Sequence, residues 1–88
     1  MKHIKGGRFC KLFDALPKAI QDKANKQFHL LKTDPRHPSL HFKKIASEEN
    51  LWSVRVDANY RALGAESKSG RMVWRWIGTH SEFDKLFK

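Results

Sequence analysis

The sequence predicts an α+β fold: two N-terminal helices packed on a small antiparallel sheet of three to four strands, closed by a short C-terminal helix. Three observations predict it. Apolar residues recur at helical spacing before Asp34-Pro35, they alternate at strand spacing after it, and Thr79-His80-Ser81-Glu82 carries the pattern of a capped helix start. The 88 residues make one domain, 1–88, with no linker, repeat or low-complexity segment dividing them.

Phe9, Leu12, Phe13 and Leu16 fall at i, i+3, i+4 and i+7, one apolar stripe of a first helix. Pro17 suits the first position of a second helix, where its missing N–H costs nothing. Ile20, Ala24, Phe28 and Leu31 continue the stripe; Leu30 widens it and Gln27 interrupts it beside the seam. Lys18, Lys23, Lys26 and Lys32 lie outside it, which gives the pair a wet, basic outer face. Asp34-Pro35 and His37-Pro38 end the helix, because a residue before proline is pushed out of the helical region.

The second half reads as an antiparallel meander. His41 to Ile45 suits an opening strand, and Ser47 to Asn50 a turn. Trp52-Ser53-Val54-Arg55-Val56 alternates and is rich in strand formers. Asp57-Ala58-Asn59 is a hairpin turn into Tyr60 to Leu63, and a polar loop at Lys68-Ser69-Gly70 precedes Met72 to Ile77. Simple alternation puts Trp74 and Trp76 on one side of that strand, with Val73 and Ile77 opposite. Thr79 then caps a last helix, with Glu82 reaching back and Phe83, Leu86 and Phe87 on its apolar side.

Charge bounds the function. Eighteen Lys and Arg stand against nine Asp and Glu, a net charge of +9. That field attracts polyanions: nucleic acid, an acidic protein segment or an anionic membrane surface. No run approaches ~20 apolar residues, so no membrane span is expected. Met1 to Gly7 lacks the apolar core of a signal peptide, so a soluble, cytoplasmic protein is expected. The lone Cys10 excludes an internal disulfide and, sitting among Phe9, Leu12 and Phe13, reads as a buried inert thiol. His37 and His41 are four apart, but prolines surround them and no third ligand accompanies them, so no metal or other cofactor is expected.

The runs His37 to Ile45, Leu51 to Val56, Tyr60-Arg61-Ala62-Leu63 and Trp76-Ile77-Gly78-Thr79-His80-Ser81-Glu82-Phe83, in that order and spacing, resemble the RelE/ParE toxin superfamily over nearly the whole chain. The resemblance implies two N-terminal helices on a twisted antiparallel sheet, and the toxin role in a type II toxin–antitoxin pair. It also implies one of two main activities: ribosome-dependent, metal-independent mRNA cleavage, or ParE-like poisoning of DNA gyrase without nuclease chemistry. A weakly active relative that chiefly binds its antitoxin is a third possibility. An acidic antitoxin is the expected partner, alongside the ribosome and mRNA, or gyrase in the second case.

Metal-free RNA cleavage needs a base for the 2′-hydroxyl, cations for the phosphorane charge and an acid for the leaving 5′-oxygen. Arg61 matches the arginine position of RelE-like nucleases, where a planar fork clamps a phosphate. Arg55 matches another basic position. His80 matches the place of a catalytic histidine or arginine; as the first residue of a capped helix its imidazolium is disfavoured by the helix dipole. Arg36, His41, Lys43 and Lys44 form a basic patch suited to RNA phosphates. The chain departs from the family in two places: Phe83 and Phe87 stand where many members have a tyrosine, and Pro38-Ser39 occupies the neighbourhood of a glutamate. Proton transfer therefore falls more heavily on His80. Whether Arg55 and Arg61 share a sheet face depends on the hairpin: a two-residue loop separates them, one more residue unites them.

Overall fold

The computed structural model describes residues 2–45 and 50–86. A first strand, β1 (Lys2–Lys5), leads into α1 (Gly7–Asp14) and α2 (Lys18–Thr33). A 3₁₀ turn at Pro38–Leu40 follows, then β2 (Lys43–Lys44), β3 (Leu51–Arg55), β4 (Tyr60–Glu66), β5 (Arg71–Thr79) and α3 (His80–Lys85). The class is α+β as expected, but the sheet has five strands in the order β1-β5-β4-β3-β2 and is mixed, because β1 runs parallel to β5. Lys2-His3-Ile4-Lys5 shows no strand pattern by itself. It is extended because it pairs with Arg71 to Trp74, a partner nearly seventy residues away.

The helical stripes pack as their spacing predicts. Phe9, Ala24, Phe28, Leu31 and Leu40 meet Val54, Val56, Ala62, Met72, Trp74 and Ile77 in one core on one face of the sheet. Phe28 sits edge-on to both Phe9 and Trp74, with ring centroids 5.6 and 5.0 Å apart, the favourable quadrupole arrangement. Pro17 is the residue before α2 rather than its first helical residue. Gln27, the interruption in the stripe, donates to the carbonyls of Arg55 (2.9 Å) and Ser39 (3.3 Å), and so ties α2 to β3 and the 3₁₀ turn. Cys10 is exposed, not buried: the stripe through Phe9 and Phe13 leaves position 10 on the outer side of α1.

Three further departures have local causes. The expected strand at His41 to Ile45 shrinks to Lys43–Lys44, because the 3₁₀ turn closes at His41 in a left-handed conformation (φ 43°). Of the turn expected after it, Ser47 to Glu49 lie outside the described residues, as does Phe87. Trp74 and Trp76 fall on opposite faces of the sheet. β4 pairs Leu63 with Trp76 but Gly64 with Trp74, so Arg75 is an unopposed bulge residue that reverses the alternation. Trp74 enters the core and Trp76 turns to the far face, where it packs against Phe83 of α3.

Two glycines accommodate these indoles. A Cβ on Gly64 would lie 2.8 Å from the Trp74 ring, and one on Gly78 2.6 Å from the Trp76 ring. The capping box at the start of α3 forms as predicted: Glu82 N–H donates to Thr79 Oγ1 at 3.1 Å, and Thr79 N–H donates to Glu82 Oε1 at 3.2 Å. The Thr79 hydroxyl, donating to Glu82 Oε1 at 2.9 Å, and then the Thr79 N–H hold the Glu82 carboxyl below its ordinary pKa. Among the described residues no helix is long and apolar enough to cross a membrane.

Candidate functional site

The β3–β4 hairpin decides which side chains meet. Its loop is Asp57-Ala58-Asn59. Val56 N–H donates to Tyr60 O at 3.0 Å, and the Asp57 carboxylate accepts from the backbone of Asn59 (2.8 Å) and Tyr60 (2.9 Å). Three loop residues place Arg55 opposite Arg61, so the two guanidinium groups share the face turned away from the core. Burial alone raises the Asp57 pKa, but its backbone bonds and Lys23, 3.3 Å away, outweigh that and leave it below the ordinary value.

Arg61 is half-buried and held at its root. Its Nη1 donates to the carbonyls of Asp57 (2.7 Å) and Tyr60 (3.0 Å). Burial and the charge of Arg55 depress its pKa, while Asp57 and Asp84 act the other way. A guanidinium remains charged under such a shift. The physical content is that two like charges are held together without full compensation, a condition that an anion would relieve.

α3 brings the histidine to the same hairpin. His80 N–H donates to Asn59 O at 2.7 Å, which joins the start of the helix to the loop beside Arg61. His80 Nε2 lies 3.4 Å from Asp84 Oδ1, one helical turn on. Asp84 is thus the carboxylate that neighbours the histidine and acts on Arg61. Arg55, Arg61 and His80 therefore converge on one end of the hairpin, with Asp84 among them.

The remaining predicted residues are dispersed. Lys43 pairs with Ser53 and so lies on the face that Arg55 occupies, whereas Lys44 pairs with Trp52 on the other. His41 is exposed at the left-handed end of the 3₁₀ turn. Arg36 lines a separate groove of about 590 Å³ with His3, Lys32, Phe42 and Trp52. Trp52 packs on the core and donates from Nε1 to Glu66 Oε1 at 3.1 Å. Among the described residues no three His, Cys, Asp or Glu side chains gather to hold a metal ion.

Sequence reasoning missed Asp84 and Asp57. The i, i+4 spacing of His80 and Asp84 was a usable signal for the first. For the second, an aspartate opening a tight turn is the residue type that caps it with its own carboxylate. It also passed over a groove of about 660 Å³ between α2, the 3₁₀ turn and the hairpin, whose walls include Lys23, Lys26, His37 and Arg55.

The family model for a ParE-like toxin domain matches residues 18–85. No curated protein matches the chain significantly. Among solved structures the chain is similar to one in the RelB–RelE antitoxin–toxin complex from Methanococcus jannaschii, with TM-score 0.74 and 16% identity over 97% of this chain and 99% of that one. It is similar to YafQ from E. coli, with TM-score 0.72 and 15% identity over 99% and 98%. The YoeB/ParE toxin from Agrobacterium tumefaciens gives TM-score 0.69 and 19% identity over 91% and 99%. At these identities the structures speak to the fold.

Proposed function

The chain belongs to the ParE-like toxin domain family within the RelE/ParE toxin superfamily, and from that premise we propose that it is a ribosome-dependent, metal-independent mRNA endonuclease held in check by an antitoxin. The observation that carries the reading is the convergence of Arg55, Arg61 and His80 at one end of the hairpin.

In this reading the arginine pair receives the scissile phosphate. Its mutual repulsion is relieved as the phosphorane gathers negative charge, so the pair favours the transition state over the ground state. The 2′-oxygen forms a bond to phosphorus and loses its proton, while the bond to the 5′-oxygen breaks and that oxygen gains one. His80, oriented by Asp84, moves one of these protons; Phe83 and Phe87 carry none. The ribosome supplies the second transfer and aligns the 2′-oxygen, which gives the dependence on it a chemical reason.

The antitoxin presents an acidic, amphipathic segment to a surface of +9 net charge. An apolar groove of about 550 Å³ over Leu63, Val73 and Trp76, rimmed by Arg8 and Arg75, offers it a seat. The family model's ParE-like description favours a second reading, binding of DNA gyrase without chemistry.

The test is a translating extract supplied with wild type, Arg61→Ala and His80→Ala. Wild type cuts ribosome-bound mRNA, and each variant loses about 10²-fold or more of the rate while keeping its circular dichroism spectrum. Full cleavage by both variants sinks the assignment.

A further inference from the structure

A separate groove lies on the opposite face of the sheet from the arginine pair. Trp52 pairs with Gly64 three residues along from the Arg55–Arg61 pair, so its side chain points to the helix-covered face. There, at the C-terminal end of α2, His3, Leu31, Lys32, Arg36, Phe42 and Trp52 line about 590 Å³. That falls within the roughly 300–1,000 Å³ of small-molecule sites. We propose that this groove binds a free nucleoside 5′-monophosphate, its base stacked on Phe42 and Trp52 and its phosphate held by Lys32 and Arg36. The site shares no residue with the arginine pair and the histidine, and stands independently of the nuclease reading.

The planar surface is built before any ligand arrives. Phe42 stacks on Trp52, with ring centroids 4.8 Å apart and planes 25° from parallel. The row continues inward: Phe42 tilts against the buried Trp74 at 6.4 Å, and His3 stacks on that indole at 6.1 Å. Trp52 is fixed in turn, because its Nε1–H donates to Glu66 Oε1 at 3.1 Å. Phe42 and Trp52 pack on the core and yet stay only half-buried. Aromatic rings left partly open beside a cavity present a surface that a base can cover.

Positive charge stands at the rim. Lys32 is in the last turn of α2 and Arg36 follows Pro35; both are exposed, and neither has an ion pair among the described residues. Among the described residues no carboxylate lines the groove. His3 Nδ1 accepts from Trp74 Nε1–H at 3.1 Å, so the neutral ring carries its proton on Nε2 and offers a donor. Burial, then the positive N-terminus and Lys32, lower the His3 pKa, which sets the Lys32 charge within reach of that ring. The negative pole of α2 opposes an anion here, and it is answered in part from within. Thr33 Oγ1 donates to the carbonyls of His29 (3.3 Å) and Leu30 (3.2 Å), and Asp34 N–H to that of Leu30 (2.7 Å). An aliphatic ligand would leave the cations without a partner, and a bare anion would leave the rings uncovered. A base with its phosphate uses both.

The experiment is isothermal titration calorimetry at pH 7.5 with AMP, adenosine and ribose 5-phosphate. AMP should bind one to one, and removal of its phosphate or its base should weaken binding about tenfold or more. Lys32→Ala/Arg36→Ala should lose about tenfold or more of the AMP affinity, and Phe42→Leu, which keeps an apolar side chain without the ring, about tenfold. Lys11→Ala/Lys68→Ala, which removes equal charge elsewhere, should bind as wild type does. An equal loss in that control reduces the effect to net charge and overturns the proposal. Absence of AMP binding overturns it as well, and so does ribose 5-phosphate binding as tightly as AMP, since the rings would then play no part. A 2′-O-methylated pApA that binds more than tenfold tighter than AMP also counts against it, because the groove would then serve a nucleic-acid chain.

Discussion

Arg61 is fixed by its neighbours more than by its own preferences. Two carbonyls at its root, a like charge across the hairpin and a carboxylate from α3 set where its guanidinium rests and how it responds to an anion. The sequence marked Arg61, Arg55 and His80 as the residues of interest, but their meeting turns on one loop residue and on a backbone bond from His80 to Asn59. Neither is visible in residue type. In the proposed mechanism Asp84 acts through the histidine, so Asp84→Asn should lower the cleavage rate about tenfold with little change in KM, a smaller loss than His80→Ala. Steady-state kinetics in the translating extract measures the difference, and an unchanged rate removes Asp84 from the site. Gly64 gives a second prediction. Gly64→Ala drives a Cβ into the Trp74 ring and should destabilise the fold by about 1–3 kcal/mol in urea denaturation. A neutral result would mean that the indole can shift freely.

Among the elements, those that follow from local pattern were legible and those that follow from pairing were not. α1, α2, the hairpin and the capped start of α3 each carry a periodicity or a cap within their own residues. β1 and the bulge at Arg75 do not, because a parallel edge strand and a change of register are decided by the strand opposite. The bulge decides the packing: it sends one indole to the core and the other to the far face, where α3 rests on it.

β1 is also held by a titratable contact. Trp74 Nε1–H donates to His3 Nδ1 at 3.1 Å, and the rings stack. Burial, with the positive N-terminus and Lys32, lowers the His3 pKa from 6.5. A depressed folded pKa contributes stability that is whole above the unfolded value of 6.5 and is lost as pH falls through the folded one. His3→Gln keeps an acceptor and does not titrate. Between about pH 7 and pH 5 the urea midpoint of wild type should therefore fall more steeply than that of His3→Gln. Parallel curves would show that folding leaves the His3 pKa unshifted.

At the scale of the molecule, helices α1 and α2 cover one face of the sheet. The other face is left to the two arginines, to Trp76 and to the short α3. The excess of positive charge was plain in the composition, but its arrangement was not: the dispersed Arg36, His41, Lys43 and Lys44 sit apart from the groove that Lys23, Lys26 and His37 line. A wet, basic outer helix face is readable from spacing. That part of it forms a groove with the hairpin depends on how α2 crosses the sheet, which Gln27 fixes through its two carbonyl partners. The net charge of +9 draws polyanions in general, and in the proposed function the arginine pair beside the histidine gives the encounter a chemical end.

The most direct measurement of that end is induction of the chain in cells without antitoxin, followed by primer extension on translated messages. Cuts in the codon of the ribosomal A site, abolished by Arg61→Ala, together with prompt loss of protein synthesis, are the predicted result. Intact messages and continuing translation in filamenting cells with damaged DNA would contradict it and assign the fold to gyrase.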